Sequence, residues 1–482
     1  MANLTKNLAI MYRPRFARIV VYMLQATEYQ VGAYLKWFWR TTDFSRVMHR
    51  KSLVITRAAA ILLTSLRLGM LIQFVASILL GISGIQSHDA NIILFAVALL
   101  LSIPIVWGHL IVVPLLLGRF FIVKPSQRLQ VAKSKNAFIK HQALKIAVAG
   151  SYGKTTMKEM LMTVLSEGKK VTATPANKNV AISHARFAKT LSGEEDILII
   201  EYGEGAPGDV TRFSRVTKPD IGIITGLAPA HLDKYKTLQK AGEDIFSLVD
   251  FLKSENIYVN SESEAAQPFI KDDYNKYNSK DAAGWIIIDV KISLGGTSFR
   301  MKKGVKELKI KSQLLGRHQV GPLALVAALA DKLGLSSDQI EEGTAKIRPF
   351  EHRMESRQVA GAWILDDTYN GNIDGMKAGL QLLKELPAKR KIYITPGLVD
   401  QGAETGKIHQ ELGAAIADTN PDTVVLMKHS VTPDIQKGLD DGDYKGNLII
   451  EDDPLNFYNN LDQFIAAGDL VMMQNDWPDN YN

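Results

Sequence analysis

The residues with the clearest chemical potential lie in AGSYGKTT, at positions 149–156. Gly150 and Gly153 bracket a short turn between an apolar run ending at Ala149 and a segment whose Met157, Met160, Leu161, Val164 and Leu165 share one helical face. Glycines let backbone N–H groups approach an anion, and the first turn of a helix adds partial positive charge. The spacing G-x-x-G-K-T therefore predicts a phosphate-binding loop. Gly150, Ser151 and Gly153 would cradle the phosphates with Thr156 beside them, Lys154 would pair with the β/γ oxygens, and the Thr155 hydroxyl would ligate Mg²⁺. The loop is shorter than the common G-x-x-x-x-G-K-[ST]; a plain glycine turn before a helix is the alternative.

Two more residues belong with it. DILIIEYGEG reads as a buried strand ending in Glu201, and IGIITGLAPAHLDKY as another ending shortly before His231. Ligands of open α/β sheets gather at the carboxyl ends of the strands, so loop, carboxylate and imidazole are expected on one edge. Carboxylate oxygen suits Mg²⁺, and imidazole is a less usual partner for so hard a cation. Singly, Glu201 is a strand-end acid and His231 a loop residue; with the loop they predict a metal–nucleotide site for ATP and Mg²⁺.

These residues must be positioned by a chain of 482 residues, long enough for two or three domains. Cysteine is absent, which excludes disulfides, thiolate metal sites and a thiol nucleophile. Charge divides the chain. Residues 1–145 carry 18 Lys/Arg against 3 Asp/Glu, and residues 146–482 carry 39 against 47. A basic arm can bind nucleic acid or an anionic membrane surface, and its apolar content favours the membrane over nucleic acid.

Two apolar runs, at about 58–82 and 91–117, predict transmembrane helices. Ten basic residues precede them, seven basic residues and no acid occupy 119–145, and the short connection SGIQSHDA has no Lys or Arg. The positive-inside rule thus predicts a multi-pass hairpin in the cell membrane with both flanks cytoplasmic. The segment YLKWFWR suggests an interfacial helix. Buried core helices of a soluble domain are the alternative.

Beyond residue 145, short apolar strands alternate with amphipathic helices, the signature of mainly parallel α/β sheets. The fold class expected is α/β, in domains 146–355 and 356–482, behind the helical hairpin of residues 1–145.

AGSYGKTT, TPANKNVAIS, IIEYGEGAPGDV, ITGLAPAHLD, LLGRHQV, HRME, ILDDTYNGNIDGM and AETGKIHQELG occur in an order that resembles the Mur ligases over about residues 145–475. The resemblance implies a P-loop central domain, a Rossmann-like C-terminal domain and ATP-dependent joining of an amine to a carboxylate in cell-wall precursor (peptidoglycan) synthesis. The implied partners are a cell-envelope peptide precursor and an amino acid or dipeptide like D-alanyl-D-alanine. It also implies roles: Lys154, Glu201 and His231 catalytic; Thr155, Glu201 and His231 on the metal; Asn177 and Asn179 near phosphate and acceptor; and Arg353, Asp366, Tyr369 and Asn370 on the nucleotide.

The chain departs from the family pattern in four places. LQKAGEDIF puts Gly242 where members have a carbamylated lysine, with Lys240 available only after a register shift. Pro322 replaces an asparagine expected near adenine, QNDW replaces the usual K-G-S ending, and the apolar segment stands where a uridine-binding domain is usual. A lipid-linked precursor is the acceptor this last departure suggests. Two other readings are a membrane-anchored P-loop ATPase or kinase of polysaccharide export, and a catalytically degenerate nucleotide-binding scaffold.

Overall fold

The computed structural model describes residues 10–41, 43–45, 47–48, 52–175, 179–229, 232–349, 352–369, 371–398, 401 and 404–475. The described residues divide into two compact units, one up to residue 128 and one from residue 129 to 475.

The first unit is helical. Phe16–Ala26 and Val31–Arg40 precede the long helices Arg57–Ser87 and Ala90–Lys140, each long and apolar enough to cross a membrane. Thr56 caps the first long helix by accepting from the Ala59 N–H at 3.1 Å, and His88 ends it in the left-handed region. Asp89 at once caps the next, accepting from Asn91 N–H at 2.8 Å. Such adjacent caps make a tight helical hairpin. Within it Gln73 donates to the Leu99 carbonyl at 2.8 Å and accepts from Trp107 Nε1 at 2.7 Å. Leu71, Ile72, Leu79, Leu94, Phe95 and Leu101 are exposed, an arrangement that suits hydrocarbon better than water. Both helices outrun the spans expected at 58–82 and 91–117, because hydropathy measures the apolar stretch and not where the backbone ladder stops.

In the second unit, β1 (Leu144–Ala149), β2 (Val171–Ala173), β3 (Ile197–Glu201), β4 (Ile221–Ile224), β5 (Ile257–Asn260), β6 (Asn275–Tyr277), β7 (Asp281–Ala282), β8 (Trp285–Ser293), β9 (Gly296–Lys303) and β10 (Lys306–Ser312) form one sheet. Its order is β10-β9-β8-β7-β6-β5-β4-β1-β3-β2. Pairing is parallel from β2 to β6 and antiparallel from β6 to β10. β1 lies between β4 and β3, and Ile146 and Val148 face one core cluster while Ala147 and Ala149 face the other, the period-2 alternation of a sheet buried on both faces. Met157, Met160, Leu161, Val164 and Leu165 are buried in the first cluster, as their helical spacing predicts.

A second sheet, β11 (Glu355–Val359), β12 (Ala362–Asp367), β13 (Arg390–Thr395), β14 (Thr423–Met427), β15 (Asn447–Glu451) and β16 (Asp469–Gln474), has the order β11-β12-β16-β13-β14-β15. It is parallel apart from β11. Leu315, ahead of this sheet in sequence, joins its core with Leu365, Met376 and Leu380.

Candidate functional site

The phosphate loop follows β1. Gly150 has φ 140°, and a Cβ there would lie 2.2 Å from Thr225 Oγ1; Gly153 has φ 71° immediately before the helix Lys154–Leu165. Both conformations call for glycine, and both aim backbone N–H groups past the end of the sheet. The loop is pinned from β4: the Thr225 hydroxyl donates to the Tyr152 carbonyl, and Ser151 N–H donates to the Gly226 carbonyl at 2.9 Å.

Lys154 Nζ donates to the Gly150 carbonyl and reaches Glu204 Oε2 at 2.7 Å. The Thr155 hydroxyl donates to Glu201 Oε1 at 3.0 Å, and Asn179 Nδ2 donates to the same oxygen at 3.2 Å. Glu201 Oε2 has no hydrogen bond but lies 3.3 Å from Nζ of Lys158, whose side chain is wholly buried and donates to the Thr174 carbonyl at 2.9 Å. Thr174 in turn accepts from Glu201 N–H at 3.1 Å. Behind the acid, His184 Nε2 lies 2.8 Å from the Glu201 carbonyl. Burial pushes that imidazole down to about 4, which keeps it neutral and a donor at this nitrogen.

A hydroxyl and a carboxylate oxygen without a hydrogen bond, beside a phosphate cradle, are hard donors of the kind Mg²⁺ takes together with nucleotide phosphates. No cluster of three His, Cys, Asp or Glu suited to a metal occurs among the described residues, so the nucleotide itself would complete the coordination.

The structure thus gathers Gly150, Ser151, Gly153, Lys154, Thr155, Asn179 and Glu201, with Thr156 half-buried in the same helical turn. His231, Asn177 and Asn370 lie outside the described residues. Asp366, at the end of β12, accepts from the Thr368 hydroxyl at 2.7 Å and faces His352 Nδ1 at 2.9 Å. The Arg353 guanidinium lies 4.4 Å from the Tyr369 ring centroid, a cation–π stack. Burial raises the Tyr152 phenol, a hydrogen bond with Ser263 opposes the rise, and the charge of Asp374, on the helix Ile373–Glu385, adds to it.

The departures have structural counterparts. Gly242 is buried in the helix Leu238–Phe246, where a Cβ would come 2.4 Å from the Phe269 ring and 2.9 Å from Leu227, so a side chain there requires both to shift; Lys240 is exposed on the same helix. Pro322 sits in the first turn of the helix Val320–Lys332, where a missing N–H costs little. Asn475, near the end of the described chain, accepts from Gly371 N–H and donates to the Gly397 carbonyl at 2.8 Å, joining the loops after β12 and β13.

Sequence reasoning passed over Lys158, His184 and Glu204. Lys158 carried a signal: it shares a helical face with Leu161 and Leu165, and a cation inside an apolar stripe must find a buried partner.

The Mur ligase middle domain matches residues 148–330, and the Mur ligase, glutamate ligase domain matches residues 352–474. The UDP-N-acetylmuramoyl-tripeptide–D-alanyl-D-alanine ligase of Escherichia coli K12 is 28% identical over 291 residues, 58% of this chain and 63% of that protein. Its counterpart in Bacillus subtilis 168 is 26% identical over 285 residues, 58% of this chain and 61% of that protein. The chain therefore spans less than two thirds of the length of these relatives. Among solved structures, the MurF ligase of Thermotoga maritima in complex with ADP superposes with a TM-score of 0.64 at 20% identity, covering 74% of this chain and 82% of that one. MurF of Acinetobacter baumannii gives 0.63 at 19%, covering 72% and 77%.

Proposed function

We propose that this chain, which carries the middle and glutamate ligase domains of the Mur ligases, is an ATP-dependent amide ligase of cell-wall precursor synthesis held at the membrane by its helical hairpin. The observation that carries the reading is the placement of Lys154, Thr155 and Glu201 at one sheet edge, on a glycine loop whose backbone geometry suits phosphate.

A carboxylate resists amines because its departing oxygen holds negative charge badly. Transfer of the γ-phosphoryl group of ATP to a carboxylate oxygen gives an acyl phosphate and ADP. The amine then attacks the carbonyl carbon, the C–O bond to phosphate breaks, and inorganic phosphate leaves as the amide forms. Lys154 and the loop N–H groups stabilise charge on the phosphoryl oxygens in both steps. Mg²⁺ held by Thr155 and Glu201 would neutralise charge between the β- and γ-phosphates. Asn179, which donates to Glu201, would orient the acceptor side of the site. Arg353, Asp366 and Tyr369 would hold the nucleotide from the second sheet.

The carboxylate substrate in this reading is a peptide precursor carried on a lipid, and the amine is a D-alanyl-D-alanine-like dipeptide. A ligase and a substrate confined to one surface meet at raised effective concentration, so a soluble nucleotide handle is dispensable. Basic residues flanking the hairpin attract anionic head groups at about 1 kcal/mol each. Phosphate release by the bilayer-reconstituted protein, measured with the same peptide on a polyprenyl and on a uridine diphosphate carrier, tests both parts. Release requiring peptide and amine together supports the ligase. Equal or better kcat/KM on the soluble carrier removes the lipid-linked acceptor, and no amine-dependent release with either carrier removes the ligase.

A further inference from the structure

Between the helices Lys124–Lys140 and Asp209–Thr217 lies a cavity of about 480 Å³, lined by Lys135, Gly208, Thr211, Arg212, Arg215 and Val216. Both helices are anchored on one face of the first sheet, since Phe138 of the former and Val210 and Phe213 of the latter are buried in the same core cluster. The lining includes three cations and no acid. Arg212 pairs with Asp209, three residues earlier, and its guanidinium lies 5.6 Å from the Phe213 ring centroid. Lys135 and Arg215 are exposed and make no ion pair among the described residues.

Elsewhere on this unit exposed cations find acids: Arg300 meets Asp289 and Glu307, Lys302 meets Glu307, and Lys346 meets Glu167. Here two unmatched charges from separate helices line one cavity, an arrangement that an anion relieves. The cavity is larger than a single phosphate needs and falls in the range of small-ligand sites. A pyrophosphate diester carries one negative charge on each phosphorus and so balances Lys135 and Arg215, residue types that commonly hold phosphate.

The position suits the proposed reaction. Gly208 on the cavity wall stands four residues after Glu204, which pairs with Lys154, so the Cα atoms of 204 and 208 are at most about 14 Å apart. A sugar bearing a short peptide bridges such a distance, each extended residue adding about 3.3–3.6 Å. We propose that Lys135, Arg212 and Arg215 form a subsite for the pyrophosphate that joins the peptide precursor to its carrier, in place of the grip a uridine-binding domain would give. The inference rests on the ligase reading above, and the group recognised is the same on a lipid or a nucleotide carrier.

The test uses the full-length protein in nanodiscs of neutral phospholipid. Lys135→Gln and Arg215→Gln are combined in one variant; Lys291→Gln and Lys303→Gln, exposed on the β8–β9 hairpin, remove the same charge in a control. Binding is measured for one peptide-bearing sugar in three forms: on a short-chain polyprenyl pyrophosphate, on uridine diphosphate, and without pyrophosphate. The parent is expected to prefer a pyrophosphate-linked form, and the Lys135/Arg215 variant to lose about tenfold or more in Kd for that form alone, with the control unchanged. The form that loses affinity identifies the carrier as lipid or nucleotide. Equal binding of all three forms by the parent, or a Lys135/Arg215 variant that matches the control, overturns the subsite. So does displacement of the preferred form by anionic phospholipid vesicles at similar concentration, which would make the cavity a general head-group contact. Phosphate release dependent on peptide and amine is followed in parallel: its absence in the parent removes the ligase reading, whereas turnover with equal binding of all three forms removes only the subsite.

Discussion

Lys158, with no exposed surface, stands 3.3 Å from Oε2 of Glu201, whose other oxygen is held by Thr155 and Asn179. The buried ammonium holds that carboxylate oxygen in place behind the loop. Lys158→Met leaves an uncompensated buried charge, and stability should fall by about 3–5 kcal/mol. Urea unfolding followed by circular dichroism reads this directly. The exposed pair Lys170–Glu194, at 3.1 Å, is the control: Lys170→Met should leave the midpoint almost unchanged.

Lys154→Ala removes the mobile cation aimed at the transferring phosphoryl group and should lower kcat by about 10²–10³-fold. Because the same change strands the buried Glu204 carboxylate, stability should also fall, so circular dichroism at low temperature must first show that the variant is folded. A folded variant that turns over at the parent rate would exclude the loop as the phosphate site.

His184 makes stability depend on pH. Its folded pKa of about 4 lies below the ordinary 6.5 because burial disfavours the charged ring. Between those values the unfolded chain binds a proton that the folded chain does not, so stability is fully present above about pH 6.5 and falls as pH drops toward 4. The loss reaches about 3 kcal/mol. His184→Gln keeps a donor for the Glu201 carbonyl and should flatten this slope in melts taken between pH 7 and 4.5. An unchanged slope would assign the effect to other groups.

The hairpin predicts a topology. Reporter fusions at Ser87 should read outside the membrane and at Lys145 inside, given the basic residues on both flanks. An external signal from Lys145 would overturn the orientation.

The phosphate loop was legible because its two glycines are demanded by local backbone geometry, and β3 because five apolar or terminal residues in a row read as a buried strand. The strands β12, β13, β14 and β16 were legible for the same reason. The antiparallel extension was not. In β10 Leu308 and Ile310 are buried while Lys309 and Lys311 are exposed, the alternation of a strand with one face to solvent, but that pattern does not reveal its antiparallel partner β9. The grouping of Lys158, Glu204 and His184 around Glu201 was equally hidden, because residues 158, 184 and 204 are brought together by packing across β1 and β3 and share no local spacing. The run from Ala90 to Lys140 is made of the helices Ala90–Leu110, Val112–Gly118 and Lys124–Lys140 with a π-helical turn at Arg119–Val123; Pro104 lies inside the first, and Pro114 and Pro125 fall in the first turns of the other two, where proline costs little.

The crowded position at Gly242 has a chemical consequence. A lysine carbamate forms by addition of carbon dioxide to an uncharged amine and is lost again when bicarbonate is depleted, so an enzyme that depends on one answers to dissolved gas and to alkalinity. With the Phe269 ring 2.4 Å from where a Cβ at Gly242 would stand, this position carries no amine for that reaction. Its turnover should be the same in degassed buffer as under carbon dioxide, a property of use to a cell whose inorganic carbon fluctuates.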